Sequence, residues 1–143
     1  MLSGQLALIV AAIFTGAAIY VNVAEHPARM ILDDASLLVQ WKPSYHRGAI
    51  MQASIAIVGF LLGLLAWWQS GQWLWLAGAI AMIAPWPWTM FVIMPVNNRL
   101  MTMDPAHDGP MSRPFLDRWG QLHAVRSALG CLATLLYLLA TLR

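Results

Sequence analysis

Three histidines, a glutamate and an arginine stand inside, or at the ends of, stretches of sequence that are otherwise apolar. They are His26, His46, His123, Glu25 and Arg126. Imidazole titrates near neutral pH, so histidine serves as a general acid or base, and it also binds transition metals and haem iron. A guanidinium stabilises negative charge that develops on oxygen during a reaction. These residue types therefore fit acid–base catalysis or a metal or haem site, and no HExxH or ExxH spacing chooses between the two.

The composition places these residues in a membrane protein. Apolar residues make up 60% of the chain and charged residues only 10%, whereas an average soluble domain is about a quarter charged. A span of about 20 apolar residues crosses the ~30 Å hydrocarbon layer of a bilayer. We therefore predict an all-α, integral membrane four-helix bundle that forms a single membrane domain over residues 1–143. The predicted spans are residues 3–24, 48–68, 73–96 and 119–142.

Prolines and a long connection modify this simple pattern. Pro27 is expected to stop or kink span one, because proline removes a backbone donor and crowds the preceding turn. Pro85 and Pro87 fall near the middle of span three and predict a bend or interruption there. Loop one, residues 25–47, has apolar residues at helical spacing. It is predicted to contain a helix that lies along the membrane surface between spans one and two.

The basic residues give an orientation. Loops one and three share a side, and the opposite side has only Arg143. By the positive-inside rule, both loops are expected in the cytoplasm and both termini outside, in a bacterial inner membrane. No basic run interleaved with aromatic residues points to a nucleic-acid partner. The basic residues of the two loops are Arg29, Lys42, Arg47, Arg99, Arg113 and Arg118.

Polar stripes on three spans must face the interior of the bundle, because lipid cannot satisfy them. Asn22 lies on such a stripe of span one, and Gln52 on that of span two. Arg126 sits about two turns inside span four and needs a partner there. Glu25 is the predicted partner, and snorkelling of the arginine to the headgroups is the alternative. The stripe of span four comprises Trp119, His123, Arg126, Gly130, Thr134 and Tyr137.

Four blocks of the sequence are similar to a known family. They are residues 20–29, 40–45, 94–100 and 118–126, and they include the patterns NVAEHPAR, QWKPSY, PVNNRL and WGQLHAVR. On these blocks the chain resembles the DUF1772, or anthrone oxygenase-like, family of small four-helix membrane proteins. The resemblance covers essentially the whole chain. It implies oxygenation of an anthrone to an anthraquinone without a bound organic cofactor.

The implied reaction assigns roles to the polar residues. An anthrone methylene is acidic because its conjugate base is an aromatic phenolate, and that anion can pass an electron directly to dioxygen. The protein must supply a base, a partner for the phenolate oxygen and a dry aromatic pocket. His123 is the candidate base, His46 or His26 could replace it, and Glu25 is a further catalytic candidate. The binding candidates are Arg126, Asn97 and Asn98 as oxyanion partners, Trp41, Trp86 and Trp119 as walls, and Asn22, Tyr45 and Gln52 as further polar contacts.

Two other functions stay open on the sequence. The first is a metal- or haem-binding membrane redox protein in which His26, His46 and His123 are the ligands. The second is a non-enzymatic membrane subunit whose polar cluster only locks the helices together. The expected partners are the lipid bilayer and a lipophilic small molecule. Assembly into a homo-oligomer is left open, and no cofactor is predicted for the oxygenase.

Overall fold

The computed structural model describes all 143 residues, which form four long helices. They are α1 (Leu2–Met30), α2 (Asp34–Ser70), α3 (Trp73–Thr102) and α4 (Pro105–Thr141). Each is long and apolar enough to cross a membrane, and the chain contains no strand. The predicted all-α class with four spans is confirmed, and the chain is an integral membrane protein.

The helices pack as a bundle with two distinct ends. α1 and α3 lie on opposite sides, each packed against both α2 and α4, and α2 also contacts α4 across the bundle. The connection between α2 and α3 is tight, and Gly71 adopts a φ of 68° there, a conformation that favours glycine. We call the end with this connection and both termini the hairpin end. The end with the connections at residues 31–33 and 103–104 is the loop end.

Small residues allow close packing in the half of the bundle toward the hairpin end. Tyr137 of α4 fills a slot between Gly63 of α2 and Gly78 of α3. A Cβ atom added to Gly78 would lie 2.4 Å from the tyrosine ring, so only glycine fits there. The Tyr137 hydroxyl donates to the carbonyl oxygen of Gly59 at 2.9 Å. This ring therefore joins three helices and leaves no polar atom unsatisfied.

The separate surface helix that was predicted between spans one and two is not present. Residues from Asp34 onward belong to α2, which is continuous for 37 residues and contains Pro43. Asp33 begins this helix by accepting hydrogen bonds from the backbone N–H groups of Ala35 and Ser36. At 1.5 Å per residue α2 is about 55 Å long. Its first half therefore extends beyond a hydrocarbon layer of ~30 Å.

Two π-helical segments interrupt α1 and α3 in the half toward the loop end. They are Val21–Glu25 and Thr89–Ile93, and each is closely followed by a proline, Pro27 or Pro95. Proline lacks the N–H group that would pair with a carbonyl one turn earlier, and the wider π turn relieves this mismatch. Pro27 therefore does not stop α1, which continues to Met30.

The predicted interruption of α3 near its middle is confirmed. Regular helix ends at Ile83, and a short segment Pro85–Trp88 follows before the π-helical turn. Trp88 faces the interior, because its Nε1 donates to the carbonyl oxygen of Leu122 in α4 at 3.1 Å. α2 and α3 pack closely between the hairpin and Pro85, and they diverge beyond it.

Two basic residues of the loops close the ends of neighbouring helices. Lys42 of α2 donates to the carbonyl oxygens of Met101 and Met103, 3.1 and 2.5 Å away, at the end of α3. Arg113 of α4 donates to the carbonyl oxygens of Met30 and Leu32 at 2.8 and 2.9 Å. These carbonyls lie in the last turns of α1 and α3 or just beyond them, where no further helical N–H group can pair with them. The sequence marked both cations as orientation signals, and the structure adds this capping role.

Candidate active site

A cavity of about 240 Å³ lies in the half toward the loop end, where α2 and α3 diverge. This volume is somewhat below the roughly 300 Å³ at which pockets for drug-sized ligands begin, so a compact molecule of a few fused rings has the appropriate size. All four helices contribute to its wall. Eight of the thirteen predicted site residues line it: Glu25, Tyr45, Gln52, Trp86, Asn97, Trp119, His123 and Arg126.

The cavity reaches the surface between α2 and α3. The lining residues Trp86 and Met90 of α3 are 39% and 53% exposed, and Ala49 and Ala53 of α2 line the other side. The Trp86 indole N–H donates to the carbonyl oxygen of Ala53 at 3.4 Å, so this ring bridges the opening. All four residues fall within the predicted spans. The opening therefore lies on the side of the bundle, between two helices.

Arg126 brings a positive charge to the cavity without an acidic partner. Its guanidinium donates to the hydroxyl of Thr89 and, at 2.9 Å, to Oε1 of Gln52. It also lies 5.8 Å from the centre of the Phe14 ring. The predicted ion pair with Glu25 is therefore wrong, and so is the alternative of snorkelling to the headgroups. Both hydrogen-bond partners are neutral, so the site retains the charge of the arginine.

Glu25 pairs with Arg29, which the sequence analysis treated only as an orientation signal. The Arg29 guanidinium donates to Glu25 Oε1 at 2.6 Å, and this arginine is 2% exposed. Gln40 and Ser44 of α2 complete the cluster by bonding to both charged groups. A pair four residues apart on one helix is a favourable local arrangement, and this spacing was the signal that could have identified it. The pair contributes no net charge to the cavity.

His123 is 6% exposed and lines the cavity. Its Nδ1 lies 2.9 Å from Oδ1 of Asn22 in α1. The same oxygen accepts a hydrogen bond from the Ser127 hydroxyl at 2.7 Å, and Asn22 Nδ2 donates to the carbonyl oxygen of Gly120 at 2.9 Å. Asn22 does not line the cavity, so its predicted contact with substrate is not present. It lies behind the histidine instead.

Aromatic rings form the wall beside His123. Trp119 lies between the two imidazoles, with ring centres 5.1 Å from His123 and 5.5 Å from His26. Trp41 stacks on Tyr45 at 4.8 Å and meets Trp119 edge-on at 5.9 Å. Trp41 and His26 do not line the cavity themselves. They support the rings that do.

Asn97 lies in the wall of the cavity and has an unused hydrogen-bond acceptor. Its side chain is almost fully buried and lines the cavity, while Oδ1 has no hydrogen-bond partner. The other end of the amide, Nδ2, lies 3.7 Å from the sulfur of Met94. Buried polar atoms without a partner are rare and costly, so this amide is a candidate contact for a ligand hydroxyl.

The predicted site residues His46 and Asn98 are exposed and lie outside the cavity. Each is adjacent in sequence to a residue that faces inward, namely Tyr45 and Asn97, so the helix turns them to the other side. His46 therefore cannot join His26 and His123 in the three-histidine metal site considered above. No group of three or more His, Cys, Asp or Glu side chains is placed to hold a metal ion.

Comparison with known sequences adds one finding. The sequence profile of the family described as anthrone oxygenase matches residues 41–136, which are 96 of the 143 residues. No curated protein and no solved structure gives a significant match. The matched region contains the cavity-lining parts of α2, α3 and α4. It leaves out α1 with Asn22, Glu25 and Arg29.

Proposed function

The chain belongs to the anthrone oxygenase family, and on that premise we propose that its cavity is the active site for oxidation of a flat, lipophilic anthrone or related phenol by dioxygen. The observation that carries the proposal is the pairing of His123 with Arg126 in one apolar cavity. A base and a cation that has no counter-ion line the same cavity, and the rest of its wall is largely aromatic and apolar. This is the environment in which a carbon acid that forms a stabilised phenolate loses a proton.

The first step is removal of a proton from the anthrone methylene. His123 Nε2 accepts the proton, and the electron pair of the C–H bond moves into the ring system and onto the carbonyl oxygen. The resulting phenolate oxygen lies against the Arg126 guanidinium, whose positive charge no acid of the protein cancels. Removal of one such donor from an oxyanion site typically costs 10²–10³ in rate.

Dioxygen then supplies both the oxidant and the new oxygen atom. One electron passes from the anion to dioxygen, and the carbon radical and superoxide combine to form a C–O bond. The peroxide takes the proton back from His123. Loss of the second methylene proton with cleavage of the O–O bond forms the new carbonyl group and releases water. One anthrone and one dioxygen are thereby converted to one anthraquinone and one water.

Two separate polar groups of the cavity, Arg126 and Asn97, suit an oxygenated substrate. The cation of Arg126 is held through Thr89, and Asn97 is eight residues further along α3. At 1.5 Å per residue these positions are about 12 Å apart along the helix. A ring system that places its ionised oxygen at Arg126 and a hydroxyl at Asn97 Oδ1 would satisfy both groups. Its apolar edges would lie against Trp86, Met90 and Trp119.

The test uses purified protein in vesicles with 1,8-dihydroxyanthrone as the probe. Oxygen uptake and quinone absorbance should rise together in a ratio of one to one, well above the rate in protein-free vesicles. Catalase should return no oxygen, because water and not hydrogen peroxide is the product. A rate no faster than in protein-free vesicles, or stoichiometric hydrogen peroxide, would contradict the proposed reaction.

A matched pair of variants tests the cavity as the site. Replacing Asn97 by Leu removes the unused acceptor and should reduce kcat/KM about 10-fold for an anthrone that carries a hydroxyl far from its carbonyl oxygen, near the upper limit for loss of one hydrogen bond. The control is Asn98→Leu, which changes the exposed neighbour and should leave kcat/KM within about 2-fold of the original. Equal losses in the two variants would count against substrate binding in this cavity.

We also propose that the loop end faces the cytoplasm. Six basic residues lie toward that end, and only Arg143 lies at the other, so the positive-inside rule places both termini outside. A reporter that is active only outside the cytoplasm should be active at either terminus. Reporters that are active only in the cytoplasm and work at both termini would reverse the assignment.

A further inference from the structure

We infer that Asn22 is a positioning residue that fixes which nitrogen of His123 acts as the base. The inference rests on the proposed function only in calling His123 a base. The hydrogen bonds that fix the ring are independent of it. Asn22 would then contribute to catalysis without touching the substrate.

The orientation of the Asn22 amide follows from its partners. The carbonyl oxygen of Gly120 can only accept a hydrogen bond, so the amide group that faces it at 2.9 Å must be the NH₂ group. Oδ1 therefore points the other way, toward the Ser127 hydroxyl at 2.7 Å and the imidazole of His123 at 2.9 Å. A flipped amide would place Oδ1 against the Gly120 carbonyl oxygen, where neither atom can donate and no hydrogen bond can form.

This orientation determines the proton position on His123. Oδ1 of Asn22 can only accept, so the nitrogen it faces, Nδ1, must carry a proton. In a neutral imidazole the other nitrogen, Nε2, is then unprotonated. Nε2 makes no hydrogen bond within the protein, and the side chain lines the cavity. The lone pair is thus free for the substrate.

His26 has the opposite arrangement and is unsuited to the same role. Arg29 Nη1 lies 3.3 Å from its Nδ1, and because a guanidinium only donates, that nitrogen is the acceptor. Nε2 then carries the proton and packs against Gly120, where an added Cβ would lie 2.4 Å away. The lone pair of His26 is therefore occupied. Of these two imidazoles, the hydrogen bonds leave only that of His123 with a free lone pair.

Asn22 also suits the protonated state of the base. After His123 takes the substrate proton at Nε2, its Nδ1–H continues to donate to the same oxygen. The asparagine cannot take up this proton, and it adds no negative charge that would oppose the substrate anion. A hydrogen bond that persists through the reaction holds the ring in one orientation.

The first test measures the tautomer directly in the full-length protein. Four histidines give four ¹⁵N-labelled imidazoles, and the His123→Ala variant identifies the signal of His123. The expected spectrum at neutral pH shows Nδ1 protonated and Nε2 unprotonated in the original protein. In Asn22→Leu the signal should show a mixture of tautomers. The control Ser127→Ala removes the other donor to Asn22 and should leave the tautomer unchanged.

The second test measures activity. Asn22→Leu should lower kcat about 10²-fold, within the usual range for general-base catalysis, with KM within about 2-fold. Asn22→Asp retains the acceptor and should recover at least a tenth of kcat. Its negative charge favours the imidazolium, so the rise of activity with pH should move to higher pH.

The results separate the two proposals. An Nε2-protonated His123 in the original protein would overturn the positioning role, and so would an unchanged tautomer in a folded Asn22→Leu variant. If Asn22→Leu does not fold, the spectrum of the original protein and the pH profile of Asn22→Asp decide the question. If the tautomer is as expected but no anthrone is oxidised, the proposed reaction fails and the arrangement of His123 stands.

Discussion

The two halves of the bundle are formed by the same four helices, but one half is closely packed and the other holds a cavity and buried polar groups. Toward the hairpin end, alanines and glycines bring the backbones together around Tyr137, and hydrogen bonding within the helices is regular. Toward the loop end lie both π-helical segments, the buried Arg29, the half-buried Arg126 and the cavity. Close packing and the residues that could do chemistry are thus separated along the bundle axis. Stability should therefore depend mostly on one half and activity on the other.

The loop half has costs that the hairpin half avoids. A charged arginine inside a span costs ~2.5–3.5 kcal/mol on insertion scales, and Arg126 finds only neutral partners. Asn97 leaves one buried acceptor unpaired. Sites that bind and transform ligands commonly retain such unsatisfied groups. The close packing around Tyr137 offsets part of this cost.

The largest effect is expected for His123→Ala. Removing the general base should lower turnover of 1,8-dihydroxyanthrone by about 10²–10⁴, while the midpoint of thermal unfolding changes little. Oxygen uptake and circular dichroism in the same preparation measure the two quantities. His46→Ala is the control, because His46 is exposed outside the cavity, and it should keep full activity. A His123→Ala protein with undiminished turnover would remove His123 from the mechanism.

The next effect is expected at the hairpin end. Gly78→Ala places a methyl group 2.4 Å from the Tyr137 ring, and such overpacking typically costs 1–3 kcal/mol. The free energy of unfolding can be measured by denaturant titration in detergent micelles. Gly16→Ala is the matched control, since nothing lies within 4 Å of a Cβ there. The control should be neutral or slightly stabilising, and equal losses in both variants would contradict the importance of the slot.

A smaller effect is expected for Tyr137→Phe. The ring still fills the slot, but the hydrogen bond to the Gly59 carbonyl is lost, which should reduce the free energy of unfolding by about 1 kcal/mol. Activity should stay unchanged at temperatures where the variant is folded. A clear loss of kcat without a loss of stability would show that the two halves are coupled more strongly than the packing indicates.

Much of the fold and part of the site followed from helical periodicity. Steps of three and four residues placed Trp119, His123 and Arg126 on one face of α4, and the structure confirms that face. The direction in which residues near a span end face was harder to predict, because the sequence does not show where each helix begins. Once α2 is known to start at Asp34, Tyr45 faces the cavity and His46 does not.

The ion-pair partner of Glu25 is a second feature that the sequence did not predict correctly. Depth in the membrane favoured Arg126 as the partner, whereas Arg29, four residues away on α1, forms the actual pair. Local spacing was the better guide here. The π-helical turns were not predictable in position, because a proline can be accommodated by a kink, a break or a wider turn. These turns change which face the following residues present.

Tyr137 also fixes the position of α4 along the bundle axis, and with it the depth of the distant site. If α4 slid along the bundle by one turn, 5.4 Å, Ala133 or Thr141 would stand opposite the glycines of α2 and α3, and neither could fill the space. The ring therefore permits a single height of α4. His123 is 14 residues away on the same helix, about 21 Å along its axis. One aromatic side chain at the hairpin end thus sets how deep in the membrane the base lies.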